Sequence, residues 1–186
     1  MPQDFVAMMA GFGFATAAGL NAWITLLLVS IAGKLGFLTL AEPFDVMMSL
    51  PIMVFLGAMV LIEGLADKIA GVDHVSHLIH AVLQPIAGAV LFASQAGIIT
   101  EMSPVLAFIV GALVAGTVHA VRATVRPAVT VSTAGLGNAV VSAGEDAAAV
   151  TITLATIVLP VMAALSILVA LVLLLWVFTR RRSRAV

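Results

Sequence analysis

The stretch that decides the fold is FVAMMAGFGFATAAGLNAWITLLLVSIAG, residues 5–33, and it contains no charged side chain. A helix needs about 20 apolar residues to cross the hydrocarbon core of a bilayer. This run is long enough for a crossing and too long for the apolar region of a signal peptide. The residues before it, MPQD, also lack the basic start of such a peptide. We therefore expect a true transmembrane span here.

The composition of the whole chain also indicates a membrane protein. Of its 186 residues, 63% are hydrophobic and 9% are charged, and the mean hydropathy is +1.25. Soluble domains carry about 25% charged residues, so this chain cannot cover a globular surface with polar side chains. The absence of cysteine excludes disulfides and thiolate metal sites. A net charge of -1 gives no sign of a nucleic-acid partner.

The apolar runs predict an all-α fold, a polytopic transmembrane helical bundle of five or six spans in a single domain, residues 1–186. Ser103 is the predicted N-cap and Pro104 the predicted first residue of the fourth span. The glycine-rich stretch 127–144 suits a broken or re-entrant segment, which leaves the number of spans open. The predicted spans cover about residues 5–33, 46–66, 74–97, 104–125, 128–147 and 150–178.

The distribution of basic residues predicts the orientation, because lysine and arginine near the ends of spans prefer the cytoplasm. With six crossings and cytoplasmic termini, Lys34 is the only lysine or arginine outside. With five crossings and a re-entrant segment, the bias is weaker. We expect a multi-pass protein of the cell (inner) membrane, with residues 179–186 as a basic cytoplasmic tail.

Two segments of the chain resemble each other. TAAGLNAWIT, residues 16–25, and TAGLGNAVVS, residues 133–142, both place an asparagine five residues after one hydroxyl and four before another. Transporters built from repeats place their sites where interrupted, glycine-containing helices of the two halves meet. Alanine-rich membrane helices also share short sequences because small residues allow close packing. Both interpretations stay open, and Asn21 and Thr25 become candidates for a substrate path.

Ionisable side chains inside apolar spans are functional candidates, because they are costly unless they pair or contact water. Around the turn between the second and third spans, Glu63 and Asp67 share one helical face. A stripe with spacing i, i+4, i+7 and i+11 then runs into the third span. It consists of Asp73, His77, His80 and Gln84.

Carboxylates and imidazoles at this turn are typical ligands of zinc, manganese, iron or nickel, and they also relay protons. The alternative is a solvated loop in which Asp73 caps the third helix.

A second cluster lies in NAVVSAGED, residues 138–146, where the adjacent acids repel unless one is protonated or a cation binds. Acids also suit a helix N-terminus, so capping is an alternative there. His119, near the end of the fourth span, is expected to anchor at the membrane interface.

Both clusters together define the predicted site. The candidate ion or proton site, with a divalent cation as candidate cofactor, consists of Glu63, Asp67, Asp73, His77, Glu145 and Asp146. The candidate substrate path consists of Asn21, Thr25, His80, Gln84, Asn138 and Ser142.

Three stretches carry a family resemblance. They are AAGLNA at 17–22, EGLADKIAGVDH at 63–74 with QPIAG at 84–88, and TAGLGNAVVS at 133–142 with Glu145 and Asp146. Together they resemble the bacterial integral-membrane family catalogued as a domain of unknown function, number four-one-two-six. The resemblance covers nearly the whole chain and implies that the acidic clusters matter to the family. Where we expect a proline after the asparagine and an arginine before Pro85, this chain has Ala139 and Gln84.

Three functions stay open. The sequence favours the first, a small transporter or channel for an ion or small solute, coupled to protons or a metal ion. Because so short a chain encloses little volume, we expect a homo-oligomer in the lipid bilayer. The second is a membrane-embedded enzyme acting on a lipid or headgroup, with Mg²⁺ or Mn²⁺ held by the acids. The third is a non-catalytic scaffold whose acids cap helices and pair with Lys68, Arg122 and Arg126.

Overall fold

The computed structural model describes residues 2–66, 73–96, 102–133 and 137–158 of the chain. All regular structure in these ranges is helical, which confirms the all-α prediction for this part of the chain. The predicted tail, residues 179–186, lies outside the described residues. The helices are α1 (Pro2–Leu20), α2 (Ala22–Lys34), a short 3₁₀ helix (Phe44–Met48), α3 (Leu50–Ala66), α4 (Asp73–Ala96), α5 (Pro104–Thr133) and α6 (Asn138–Val158).

Helices α1, α4 and α5 form the centre of the fold, and each packs against the other two. Helix α6 lies against α1 and α2, and α3 packs on α2. Phe14 and Leu91 are fully buried in one apolar cluster, and Phe12 meets Phe92 edge to face in the next, with ring centroids 5.0 Å apart. Ala41 donates its backbone N–H to the Ser94 carbonyl at 2.8 Å, which fixes the loop after α2 against the end of α4.

Small residues let the three central helices approach closely. A Cβ on Gly111 would overlap the Gly88 carbonyl oxygen of α4 and lie 2.6 Å from the Phe92 Cβ. A Cβ on Gly19 of α1 would lie 2.6 Å from the carbonyl oxygen of Ala115 in α5. Lipid tails are as apolar as leucine, so helices in a membrane associate largely through such close backbone packing. The close packing of α1, α4 and α5 at glycine is therefore typical of helices that associate in a bilayer.

Two of the described helices are long and apolar enough to cross a membrane, judged by length and composition. They are Pro104–Thr133 and Asn138–Val158. Large apolar side chains are also exposed on the outer faces of the fold, including Leu61 of α3 at 69% and Val105 of α5 at 70%. The shorter apolar helical segments are Asp4–Leu20, Ala22–Lys34, Leu50–Leu65 and Ile79–Gln95.

The helix boundaries differ from the predicted spans at three places. The first span, 5–33, is two helices, because Asn21 takes an extended conformation (φ -145°, ψ 110°) and caps α2. The predicted boundary between 104–125 and 128–147 is absent, because α5 continues through Pro127 to Thr133. A proline removes one backbone hydrogen bond, and this helix tolerates the loss. Helix α6 then joins the end of the predicted span 128–147 to the start of 150–178.

The start of α5 is as predicted. Pro104 is its first residue, where a missing N–H costs nothing. The Ser103 hydroxyl accepts a hydrogen bond from the Leu106 N–H at 3.1 Å, so Ser103 caps the helix.

Candidate polar site at the helix break

The site is built around the break between α1 and α2. The Asn21 side-chain oxygen accepts a hydrogen bond from the Ile24 N–H at 3.0 Å and so caps α2. The Thr25 hydroxyl donates to the Asn21 carbonyl at 2.7 Å. Asn21 is 2% exposed and Thr25 is fully buried. The break therefore lies inside the protein, where its backbone groups need partners from other helices.

Two carboxylates from different helices meet at the Asn21 amide nitrogen. Nδ2 donates to Oε2 of Glu63 in α3 at 2.8 Å and to Oδ1 of Asp146 in α6 at 2.9 Å. An amide nitrogen has two hydrogens, so each carboxylate accepts one. The Asn21 side chain thus uses its oxygen for the backbone and its nitrogen for two acidic groups that are distant in sequence.

Glu63 also contacts a titratable side chain of α4. Its Oε1 lies 2.9 Å from Nε2 of His80, and both side chains are 11% exposed. One proton can therefore be shared or exchanged between the imidazole and the carboxylate. The contact makes a continuous polar chain of His80, Glu63, Asn21 and Asp146, which joins three helices through the break.

The carbonyl of Leu20, the last residue of α1, faces donors from two further helices. Gln84 Nε2 of α4 donates to it at 3.1 Å, and Arg122 Nη1 of α5 donates to it at 2.5 Å. The Gln84 side chain is fully buried, and its Oε1 contacts Nδ1 of His119. These side chains supply the hydrogen bonds that the interrupted helix cannot supply to its own end.

Glu145, next to Asp146 on α6, is held by two arginines of α5. Its Oε2 lies 2.7 Å from Arg122 Nε and 2.5 Å from Arg126 Nη2. The three side chains are 8–16% exposed. Arginines four residues apart share one helical face and repel each other, so the carboxylate between them offsets that repulsion. The ion pairs fasten the start of α6 to α5.

The chain belongs to a known family. A family model described as "Domain of unknown function (DUF4126)" matches residues 8–180, which confirms the family that the motifs resemble. The searches among curated proteins and among solved structures gave no significant match. Membership covers the elements that form the site, since both acidic motifs lie within the matched residues.

The structure brings several predicted site residues of this family member together and leaves others apart. Asn21, Glu63, His80, Gln84 and Asp146 meet around the break, with Glu145 adjacent through Arg122. Thr25 lies directly after the break, and Ser142 is buried in the second turn of α6.

Asn138 lies elsewhere and accepts a hydrogen bond from the Thr130 hydroxyl at 2.9 Å. Asp67, and the side chains of Asp73 and His77, lie outside the described residues. In the part of the chain whose side chains are described, no group of three or more histidines, cysteines or acids is arranged to hold a metal ion. The metal site therefore stays a prediction.

Two side chains of the site were not predicted. The sequence indicates orientation or acid pairing for Arg122 and an interface anchor for His119. Both nevertheless reach the polar centre, Arg122 through the Leu20 carbonyl and His119 through Gln84. A signal was present in the sequence: His119, Arg122 and Arg126 lie at i, i+3 and i+7, which is one helical face.

The two similar segments have partly similar local structure. Thr16 donates to the Phe12 carbonyl at 2.8 Å and Thr133 to the Val129 carbonyl at 2.7 Å, each to the residue four before it. In both segments the asparagine stands at the N-terminus of a new helix, α2 or α6. The side-chain partners of the asparagines differ, as described above. The similarity therefore covers the threonine contact and the asparagine at the start of a helix, and among the described contacts it does not include the acidic partners of Asn21.

Proposed function

We propose that this protein is a multi-pass membrane transporter or channel for an ion or small solute, and that Glu63 and Asp146 bind the transported or coupling cation. The observation that carries the proposal is the meeting of these two carboxylates on one buried amide at a helix break. Glu63 and Asp146 are partly buried, and carboxylates within an apolar helical protein are expensive to keep and commonly mark ion pathways or proton relays.

The broken helix supports the same proposal. In many secondary transporters, interrupted helices form the binding site, because their ends present backbone groups and a partial charge near the middle of the membrane. Here the N-terminus of α2 begins beside the two carboxylates, and Asn21 belongs to both features. His80 adds a titratable group on Glu63, so that a proton can be the coupling ion.

The membrane arrangement belongs to the proposal. The hydropathy of the whole chain and the apolar outer faces of α3 and α5 support several crossings of the cell membrane. The basic residues after Phe178 support a cytoplasmic C-terminus. A small bundle encloses little volume, and we propose that copies of the chain assemble to form the path.

Charge movement across proteoliposomes tests the proposal. The purified protein is reconstituted and adsorbed on a solid-supported membrane, and currents are recorded after concentration jumps of protons, Na⁺, K⁺, Mg²⁺ or Mn²⁺. For at least one ion, we expect a current above that of protein-free liposomes. Glu63→Gln and Asp146→Asn should abolish it, because each removes the charge and keeps the side-chain shape.

Glu42→Gln is the matched control. It removes the same charge from an exposed loop residue, and its current should equal that of the wild type. If Glu63→Gln and Asp146→Asn variants carry the wild-type current while correctly folded, the two carboxylates are not the ion-binding groups and the proposal is wrong.

A structural scaffold is the second candidate, and one observation favours it. Each acid at the break has a partner: Glu63 has Asn21 and His80, Asp146 has Asn21, and Glu145 has two arginines. Such pairing is expected where acids only hold helices together. In that case the wild type carries no current for any of the five ions, and the Glu63 and Asp146 variants change stability alone.

A further inference from the structure

One guanidinium joins the helix break to α6. Arg122 of α5 donates from Nη1 to the Leu20 carbonyl at 2.5 Å and from Nε to Glu145 Oε2 at 2.7 Å. Its side chain is 8% exposed. Leu20 is the residue before Asn21, and Glu145 is the residue before Asp146. The two residues that Arg122 holds are thus the immediate neighbours of the two residues that meet at 2.9 Å in the site.

This placement gives Arg122 control over the distance between Asn21 and Asp146. A guanidinium is planar and its donors point in fixed directions, so its two contacts set the position of α6 relative to the end of α1. Arg126, one turn later on α5, contacts the same carboxylate oxygen at 2.5 Å. Fastening Glu145 to α5 is common to both arginines, whereas the contact with Leu20 distinguishes Arg122.

We propose that Arg122 is a positioning residue for the carboxylate site: it holds α6 against the helix break so that Asp146 reaches Asn21. The effect of Arg122 on ion movement rests on the proposed function. Its role in holding α6 against the break does not. Lysine at position 122 keeps the positive charge and loses the planar pair of donors, so it cannot hold Leu20 and Glu145 in the fixed directions that the guanidinium imposes.

Thiol labelling tests the geometry. The chain contains no cysteine, so a single introduced cysteine is the only thiol that maleimide can label. Ser142→Cys places it on α6, one turn before Asp146, at a position that is 7% exposed. Thr153→Cys, at a fully buried position further along α6, serves as the check that the bundle is folded. We measure the rate of maleimide labelling of each in detergent and in proteoliposomes.

In the Arg122→Lys background, labelling at position 142 should rise about tenfold, the change expected when one charge-assisted hydrogen bond is lost. Labelling at position 153 should stay slow. Arg126→Lys, the matched control, should leave the rate at position 142 unchanged. If Arg122→Lys fails to fold, Glu145→Asp withdraws the carboxylate by one methylene and should expose position 142 in the same way.

A coupling measurement separates positioning from general stabilisation. If Arg122 acts through Asp146, Asp146→Asn should change the unfolding equilibrium constant about tenfold less in the Arg122→Lys background than in the wild type. Additive effects would mean that Arg122 stabilises the fold without positioning Asp146. Equal labelling at position 142 in the wild type and in folded Arg122→Lys would also overturn the inference, as would an Arg126→Lys effect of the same size.

The proposed function can fail separately. Labelling and unfolding require no ion movement, so absence of current in the wild type overturns the transport proposal alone. Where current is present, Arg122→Lys should raise the half-saturating ion concentration, since the binding carboxylates are held less closely. Arg126→Lys should leave that concentration unchanged.

Discussion

Substitution of Asn21 tests the break and the site together. Asn21→Ala removes the N-cap of α2, worth about 1 kcal/mol. It also removes two hydrogen bonds to carboxylates. Bonds to charged groups contribute about 1.5–3 kcal/mol each in soluble proteins, but about 0.6 kcal/mol on average for interhelical bonds in membranes. We therefore expect the free energy of unfolding to fall by about 2–4 kcal/mol.

Asn21→Asp separates the cap from the contact between helices. Aspartate is as good an N-cap as asparagine, so the bond from the Ile24 N–H is kept. The amide donor becomes a third carboxylate facing Glu63 and Asp146, and like charges at this distance repel. We expect Asn21→Asp to be less stable than Asn21→Ala at neutral pH. Asn138→Asp is the matched control, because an aspartate oxygen can still accept from the Thr130 hydroxyl, and stability should change by less than about 0.5 kcal/mol.

The assay is reversible unfolding in mixed micelles with an increasing fraction of SDS. Trp23 lies two residues after Asn21 and packs edge to face on Phe55, with ring centroids 6.0 Å apart, so its fluorescence reports on the break. Trp176→Phe in all samples leaves Trp23 as the only tryptophan. If Asn21→Asp is as stable as the wild type, the amide contributes only a cap, and the reasoning about the two carboxylates is refuted.

Three further predictions use the same unfolding assay. Glu145→Gln should destabilise by about 3 kcal/mol, because it removes the carboxylate that pairs with Arg122 and Arg126. The control Glu42→Gln should have no effect. If the two variants unfold with the same free energy, the ion pairs are not stabilising. Gly111→Ala should cost about 1–3 kcal/mol, because its Cβ meets α4 at the helix crossing. Gly57→Ala, where a Cβ has open space in α3, should instead stabilise by about 0.5–1 kcal/mol. If Gly111→Ala and Gly57→Ala change the free energy of unfolding in the same direction, the close packing at Gly111 is contradicted.

Part of the fold could be predicted because its signals are local. The start of α5 follows from Ser103 and Pro104, which act within one turn. The break at Asn21 was not predicted, because the apolar run 5–33 continues on both sides of it without a charge or a proline. An asparagine inside an apolar run marks an N-cap only if the surrounding structure supplies partners for the interrupted backbone, and those partners come from α4 and α5.

The site was predictable as a set of residue types and unpredictable as a set of contacts. Buried acids, amides and imidazoles in an apolar chain are few, so Asn21, Glu63, His80 and Asp146 could be selected from the sequence. Their pairing could not, because Asn21 and Asp146 are 125 residues apart and no spacing rule connects them. For Arg122 the sequence predicts either span orientation or pairing with an acid. The pair with Glu145 is present, but the contact with the Leu20 carbonyl could not be predicted because it depends on the helix break.

The break gives the polar residues a common cause. Once α1 ends at Leu20, its carbonyl needs donors, and Gln84 and Arg122 provide them. Arg122 is then a buried cation, which Glu145 neutralises.

The Asn21 amide likewise needs acceptors, which are Glu63 and Asp146, and Glu63 in turn takes His80. Each group is stable in an apolar protein only because the next is present, so single substitutions should be strongly non-additive. A site of this kind can move an ion only if its members exchange partners without leaving the network. The coupling between positions 122 and 146 therefore measures how tightly this network is joined, and the current of the wild type decides between a path and a scaffold.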